Sequence, residues 1–164
     1  MASGPRYTVK FRRRRAGKTN YHNRLALLLS RKPRLVIRKT NKYILCQIFN
    51  YTENGDKVIA SAHSKELVKA GWKHSCNNIS AAYLTGIAIA NAAKKAKVSE
   101  VILDAGLYHS TKGSVIYAAL KGAVDSELNI PHNPEVFPSE DRILGKHTKS
   151  KDLSKDMEVV KKKL

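Results

Sequence analysis

The first 52 residues carry no acidic side chain, and this charge asymmetry constrains the fold more than any other feature of the sequence. Fourteen of the chain's 31 lysines and arginines lie in that segment, whereas all 13 acidic residues lie at Glu53 or beyond. Such a segment cannot neutralise itself through ion pairs of its own, so its charge is expected to face solvent or a polyanionic partner. The densest run is Arg12–Arg15, and arginine suits phosphate because its guanidinium binds two oxygens at once.

Length and composition predict one folded domain with a basic extension at each end. With 164 residues and 42% hydrophobic content, the chain can bury a core without cross-links. Residues 1–17 lack apolar periodicity and are expected to form an extended basic arm, residues 18–145 a single α/β domain, and residues 146–164 a lysine-rich tail. The tail has one apolar helical face, so we expect it to fold when it docks. That face consists of Leu153, Met157, Val160 and Leu164.

Three apolar runs predict an antiparallel meander of strands. Asn54-Gly55 separates the last two runs and is a strong hairpin signal, because both residues tolerate positive φ. Alternation places apolar side chains on one face of the first two strands, and basic and aromatic side chains on the other. The predicted strands cover residues 34–39, 43–51 and 57–63.

The segments around the meander predict helices and one further strand. A short apolar run at residues 100–104 lies between helical patterns at 79–95 and 114–128, which is typical of a buried parallel strand. The fold class is therefore predicted as α/β, with helices packed on a mixed sheet. A first helix is expected from a cap at Thr19 to about Lys32, with Arg24 and Arg31 beside its apolar stripe. That stripe is predicted to consist of Tyr21, Leu25, Leu28 and Leu29.

Basic and aromatic side chains alternate through the arm and into the first helix. Arginine binds phosphate and stacks on bases, while Tyr and Phe offer platforms for unpaired bases, so this mixture favours structured RNA. A solvated protein face normally mixes charges of both signs, which argues against a purely solubilising tail. The predicted contact residues here are Arg6, Tyr7, Lys10, Phe11, Arg12, Arg13, Arg14, Arg15, Lys18, Tyr21, Arg24 and Arg31.

Two further segments are candidates for RNA contact. The hairpin formed by the first two strands carries cations on the same end of the molecule as the arm, although an edge strand can also use charge to prevent aggregation. The loop from Gly106 to Ser114 precedes a helix, where free amides could hold a phosphate. The candidate residues are Arg34, Arg38, Lys39, Asn41, Lys42 and Tyr43 in the first segment, and His109, Lys112 and Gly113 in the second.

The sequence argues against an enzyme and predicts no catalytic residue, metal site or cofactor. Lys112-Gly113-Ser114 reverses the order that a Walker loop requires. A metal-dependent nuclease needs several carboxylates converging on the strand ends, and only Asp104 lies at the end of a predicted strand. His74 and Cys76 have no partner pair at zinc-binding spacing. The apolar stretch 79–93 is too short to span a bilayer, and the two cysteines fit a reducing intracellular compartment.

Several short sequence motifs resemble those of a universal family of large-subunit ribosomal proteins. The bacterial member of this family is numbered eighteen, and the longer eukaryotic member is numbered five. The motifs are YTVKFRRRRAGKT at 7–19, RLVIRKTNKYILCQI at 34–48, GSVIYAALKGA at 113–123, NIPHN at 129–133 and FPSEDRILGKH at 137–147. The arm and the NIPHN motif are similar to the archaeal and eukaryotic branch, and the length favours the archaeal form.

The resemblance implies a structural protein of the cytoplasmic ribosome. Its implied partners are 5S rRNA, the large-subunit rRNA and neighbouring ribosomal proteins, including the other 5S-binding protein, with attachment at the central protuberance. By motif, the resemblance assigns RNA contact to residues of the arm, of the first hairpin and of the loop before the second long helix. They are Arg12–Arg15 and Lys18, Arg34, Arg38, Asn41 and Lys42, and His109, Lys112 and Gly113. An RNA chaperone or regulator outside the ribosome stays open as an alternative, and a nuclease is disfavoured.

Overall fold

The computed structural model describes residues 4–148 and 152–164; the first three residues of the predicted arm and residues 149–151 of the predicted tail lie outside it. The strands are β1 (Arg34–Lys39), β2 (Ile44–Thr52), β3 (Gly55–His63) and β4 (Ile102–Asp104). The helices are α1 (Arg12–Arg15), α2 (Tyr21–Leu29), α3 (Glu66–Lys69), α4 (Ile79–Lys95), α5 (Val115–Asp125), α6 (Glu140–Ile143) and α7 (Leu153–Lys163). A 3-10 turn spans Pro134–Val136.

The four strands form one mixed sheet in the order β3-β2-β1-β4. The pairs β1–β2 and β2–β3 are antiparallel, and β4 runs parallel to β1 with Leu103 opposite Leu35. The predicted α/β class, with a three-strand meander and one parallel strand, is therefore confirmed. Parallel pairing requires a long crossover, and the chain supplies it through α3 and α4.

The β2–β3 hairpin lies where the sequence predicts it, but its turn is shorter than the gap between the predicted strands. Thr52 pairs with Gly55, so the two connecting residues are Glu53 and Asn54. Gly55 takes φ 128° at the first position of β3. Glycine reaches that φ without a steric penalty, so the Asn-Gly signal marks this hairpin although Gly55 lies outside its turn.

The main core lies between one face of the sheet and helices α4 and α5. Leu35, Ile37 and Ile48 are fully buried on that face, as the alternation predicts. The two helices approach closely because glycines lie at their crossing. A Cβ at Gly86 would lie 2.0 Å from the carbonyl oxygen of Ala119.

A second apolar cluster joins the C-terminal tail to the domain. Leu153, Met157 and Val160 of α7 are buried against side chains that include Trp72 and Leu84. The helical face predicted for the tail is therefore confirmed, and the helix is docked in the folded chain. Polar contacts fix its two ends. His74 Nε2 lies 3.1 Å from Asp156 Oδ2, and Asn91 Nδ2 donates to the Leu164 carbonyl oxygen.

The apolar stripe predicted for the first helix is confirmed at Tyr21 and Leu28, which are partly buried, and is wrong at Leu25 and Leu29. Leu25 and Leu29 are 61% and 75% exposed, whereas Arg24, Leu27 and Leu28 are partly buried. The cap is Asn20, whose Oδ1 accepts the amides of His22 and Asn23, and not Thr19. The inward position of Arg24 follows from an ion pair with Asp56 of β3, which a pattern of apolar residues cannot reveal.

None of the helices within residues 4–148 and 152–164 combines the length and apolar character needed to cross a bilayer.

Candidate nucleic-acid interface

The four consecutive arginines of the arm form a helical turn, whereas the sequence predicts an extended conformation. All four residues of α1 are exposed, and successive residues on a helix point about 100° apart, so the guanidinium groups spread around the turn. Gly17 ends the turn at φ 62°. The Gly17 amide donates to the Arg14 carbonyl oxygen, and the Lys18 amide donates to the Arg13 carbonyl oxygen. These two bonds are the Schellman pattern of a helix C-terminus.

Two contacts hold this turn against the start of α2. The Phe11 and Tyr21 rings lie 5.1 Å apart between centroids, inclined by 56°. Nε of Arg13 donates to the Thr19 hydroxyl oxygen at 2.8 Å. Phe11 is nevertheless 70% exposed and Tyr7 50% exposed, so both aromatic rings remain accessible for stacking.

A series of alternating charges crosses the face of the sheet opposite the one that packs on α4 and α5. Asp56 accepts from Arg24 Nη2 at 2.9 Å and from Arg34 Nη2 at 2.7 Å. Arg34 Nη1 donates to Asp104 Oδ2 at 3.0 Å. Arg38 Nη2 lies 3.5 Å from Asp104 Oδ1. Three guanidiniums and two carboxylates are thereby linked across α2, β1, β3 and β4, and we call these five residues the arginine–aspartate chain.

The arginine–aspartate chain corrects the expectation that the basic segment leaves its charge to solvent or a partner. Asp56 and Asp104 lie outside the acid-free segment in sequence, but strand pairing places their carboxylates beside arginines of that segment. Arg34 is only 2% exposed, so the predicted RNA contact at this position has no accessible guanidinium here. The side chains of Arg24 and Arg38 are 35% and 39% exposed and reach the surface while bound.

A cleft of about 550 Å³ opens beside the arginine–aspartate chain. One wall comes from the arm and α2, and the other from the end of β4 and the loop that follows it. Its polar lining is mainly cationic or amide, which suits an anion with hydrogen-bond acceptors. The polar and aromatic lining residues are Arg13, Lys18, Thr19, Asn20, Asn23, Arg24, Arg38, Asp104 and Tyr108.

Tyr108 joins this cleft to a second groove of about 420 Å³. Its hydroxyl donates to the Lys39 carbonyl oxygen at 2.6 Å and accepts the Lys39 amide at 3.2 Å. The second groove is also lined by Lys39, His109, Gly113 and Arg142. The arm, the end of β1 and the loop before α5, predicted as separate candidates, therefore form one continuous surface.

Two groups predicted to bind a phosphate in the loop before α5 already have partners within the protein. The Gly113 amide donates to the Val136 carbonyl oxygen at 2.9 Å, so this amide is not free for a ligand. Nζ of Lys112 lies 3.1 Å from Glu135 Oε2, in a pair whose side chains are both about 70% exposed. Such a pair contributes little and is screened by salt, so Lys112 can exchange its partner for a phosphate.

The remaining predicted residues lie at the margins of this surface. Asn41 and Lys42 are exposed in the β1–β2 turn, and the Asn41 carbonyl oxygen accepts from Asn77 Nδ2. The Tyr43 ring packs 5.1 Å from the His63 ring and lines a separate depression. Arg6, Lys10 and Arg31 are further exposed cations, and no side-chain hydrogen bond or ion pair to another residue of 4–148 or 152–164 fixes them.

Sequence reasoning missed several polar lining residues, Thr19 among them, and both carboxylates of the arginine–aspartate chain. Tyr108 lies in a loop that the sequence identifies, but its bond to β1 follows from the tertiary structure. Asn20, Asn23 and Arg142 give no signal beyond their polarity. In the part of the chain that the structure covers, no three His, Cys, Asp or Glu residues are grouped to hold a metal.

The sequence matches the family model described as ribosomal large subunit proteins 60S L5 and 50S L18, over residues 5–101 and 88–133. Large ribosomal subunit protein uL18 of the archaeon Korarchaeum cryptofilum (strain OPF8) is 58% identical over 150 residues. The match covers 92% of this chain and 77% of that relative. The resemblance seen in the sequence motifs, including its archaeal type, is therefore confirmed.

Proposed function

Because the chain belongs to the family of large-subunit ribosomal proteins 60S L5 and 50S L18, we propose that it binds 5S rRNA and attaches it to the large-subunit rRNA at the central protuberance. In this proposal the protein is a structural component of the ribosome and catalyses no reaction. Its other partners are neighbouring ribosomal proteins, among them the second protein that binds 5S rRNA.

The observation that carries the RNA part of the proposal is the continuous cationic surface from the arm to the loop before α5. The four arginines of α1 are exposed on one helical turn, and Lys18 and Arg38 continue the charge into the cleft. Phe11 and Tyr7 add exposed rings beside these cations. Arginine and aromatic side chains together recognise the backbone and unpaired bases of folded RNA.

The charge of this surface is expected to act through counterion release. Each phosphate that a cation neutralises frees condensed ions, so affinity should fall steeply as salt rises. Part of the surface is rigid, because the arginine–aspartate chain and Tyr108 fix the cleft walls to the sheet. A rigid surface favours RNA of one shape over other polyanions, since mispositioned phosphates lose their contacts.

A competition experiment tests the proposal. The full chain should bind 5S rRNA in the presence of excess transfer RNA, and removal of residues 1–17 should weaken binding and flatten its salt dependence. That segment contains six arginines and lysines, so the slope of log affinity against log salt should fall by up to about 4 to 5. Equal affinity and slope in the truncated chain would remove the arm from the 5S interface.

A matched pair of variants separates local contact from overall charge. Arg14→Gln with Arg15→Gln removes two exposed charges from α1, and Lys155→Gln with Lys162→Gln removes two from α7. The first variant should bind 5S rRNA more weakly, and its slope of log affinity against log salt should fall by about 1.4 to 1.8. The second variant should show much smaller changes in affinity and slope. Equal losses would mean that binding responds only to net charge.

Sedimentation of cell extracts separates the ribosomal role from that of a free RNA chaperone. The chain should remain with the large subunit in gradients at high salt. A chain that is absent from large subunits and bound to other RNAs would support the chaperone instead.

A further inference from the structure

We propose that the arginine–aspartate chain is completed by one backbone phosphate of the bound RNA, which enters the cleft and binds Arg38, and that Asp104 positions Arg38 for that contact. The inference rests on the proposed function, because the phosphate belongs to the RNA. It assigns roles to Asp104 and Asp56, two acidic residues that a simple search for cations would pass over.

The count of charges in the arginine–aspartate chain points to a missing anion. Three guanidiniums share two carboxylates, so one positive charge is left without a partner among these residues. Nε of Arg34 is buried and has no acceptor within the described residues. Buried or half-buried charge is costly unless it is paired, so the group as a whole favours a further anion.

Arg38 lies at one end of the arginine–aspartate chain, and it is the arginine whose unpaired positive charge is available to a ligand. Its Nη2 lies 3.5 Å from Asp104 Oδ1, a longer separation than the other Arg–Asp contacts of the chain. Its side chain is 39% exposed and lines the cleft. Arg24 at the other end is bound by both oxygens of Asp56 at 2.9 and 3.0 Å, so its charge is largely satisfied.

The Arg38 guanidinium is held in place by the backbone around it. Nη1 donates to the carbonyl oxygens of Ile37 at 2.9 Å and Asp104 at 3.1 Å. Asp104 Oδ1 accepts the Gly106 amide at 2.8 Å, which fixes the same loop. A Cβ at Gly106 would lie 2.9 Å from three guanidinium atoms, so the absence of a side chain there makes room for Arg38. Asp104 thus fixes Arg38 and the wall beside it.

The cleft matches a nucleotide unit in size and chemistry. Its volume of about 550 Å³ exceeds that of a phosphate and lies within the range of small-ligand sites. Arg13 and Lys18 line the cleft together with Arg38, so a phosphate there can meet more than one cation. Asn20 and Asn23 add amide groups for the attached sugar or base.

Whether Asp104→Asn weakens or tightens RNA binding distinguishes a positioning role of Asp104 from a general electrostatic effect. Asp104→Asn raises the net charge of the protein by one, which by itself should tighten binding to RNA. If Asp104 positions Arg38, the same substitution should weaken binding, by roughly threefold to tenfold, since a misplaced guanidinium loses its charged hydrogen bond. Arg38→Gln should weaken binding roughly tenfold or more, and Asp104→Asn should add little in that background.

The experiment measures 5S rRNA affinity of the full chain across a series of salt concentrations, with folding checked by circular dichroism. Asp156→Asn in α7 supplies the same change of charge away from the cleft and should bind as tightly as wild type or slightly more tightly. Equal or tighter binding by folded Asp104→Asn would overturn the inference. Absence of specific wild-type binding would instead refute the proposed function, so the two failures are distinguishable.

Ethylation interference gives a second readout that holds even if Asp104→Asn fails to fold. Ethylation of 5S rRNA at one or two phosphates should block binding of the wild-type protein. Ethylation at the same phosphates should not further weaken binding of the Arg38→Gln variant. Gly106→Ala, which keeps every charge but displaces Arg38, should lose the same positions. Identical interference patterns in wild type and both variants would refute a phosphate at Arg38.

Discussion

Substitution of Gly86 by alanine tests the close crossing of α4 and α5 on which the core depends. The added Cβ would lie 2.0 Å from the carbonyl oxygen of Ala119 and 3.0 Å from the amide nitrogen of Ala123. Ordinary contacts of a Cβ begin at 3.4 Å, so the helix backbones must separate locally by more than 1 Å. The obstacle is backbone on a packed helix, so rotation of a side chain cannot relieve it.

Two opposing terms set the size of the effect. Overpacking in a core costs about 1–3 kcal/mol, and a clash with backbone belongs at the upper end of that range or above it. Replacing glycine by alanine inside a helix returns about 1 kcal/mol. Gly86→Ala should therefore lower the free energy of unfolding by at least about 2 kcal/mol, which lowers Tm by roughly 4–8 °C for a chain of this size.

Urea unfolding followed by circular dichroism measures this loss, and two variants calibrate it. Ala88→Gly, at a position of α4 that is only partly buried against the core, should cost about 1 kcal/mol of helix propensity plus the small contact of one methyl group, and gives an upper bound for the propensity term. Gly122→Ala places a Cβ 2.1 Å from the Tyr83 carbonyl oxygen and should resemble Gly86→Ala. The double variant should cost less than the sum, because one separation relieves both clashes. Unchanged or increased stability of Gly86→Ala would refute the proposed packing.

Three further predictions concern the tail helix and the two cysteines. Met157→Ala should lower the free energy of unfolding by about 2–5 kcal/mol in urea titrations. Val159→Ala, at a 49% exposed position, is its control, and an equal loss there would contradict the docking of a single face of α7. Burial raises the pKa of Cys46 from 9.0 to about 12, so this thiol contributes stability that is complete below pH 9 and falls by about 1.4 kcal/mol per pH unit toward pH 12. Cys46→Ala should therefore show a shallower alkaline loss of stability than wild type, and equal slopes would refute the assignment. In the native chain a thiol reagent should modify the partly exposed Cys76 faster than Cys46, which should react only on unfolding, and equal rates would contradict this.

The sequence by itself determined the elements whose signals are local. Strand alternation identifies the buried face of β1 and β2, and the long apolar pattern gives α4 with the bounds that the structure has. The apolar face of α7 is likewise readable from its helical spacing. These signals succeed because burial follows the period of the backbone, which is about two residues in a strand and 3.6 in a helix.

The sequence also located the exposed cations of the arm, because a run of arginines without nearby carboxylates has no local means of burial. It did not reveal that these arginines form a helical turn. That turn depends on Gly17 in a left-handed conformation and on the contact between Phe11 and Tyr21.

Only the tertiary structure decided which basic residues are neutralised within the fold. Asp56 reaches Arg24 and Arg34 through the β2–β3 hairpin, and Asp104 reaches Arg34 and Arg38 through parallel pairing. These contacts join residues 22 to 70 positions apart, and they depend on strand register and on the rotation of α2. Charge counted along the chain therefore indicates a polyanion partner, whereas charge paired across the sheet determines which arginines remain to contact it.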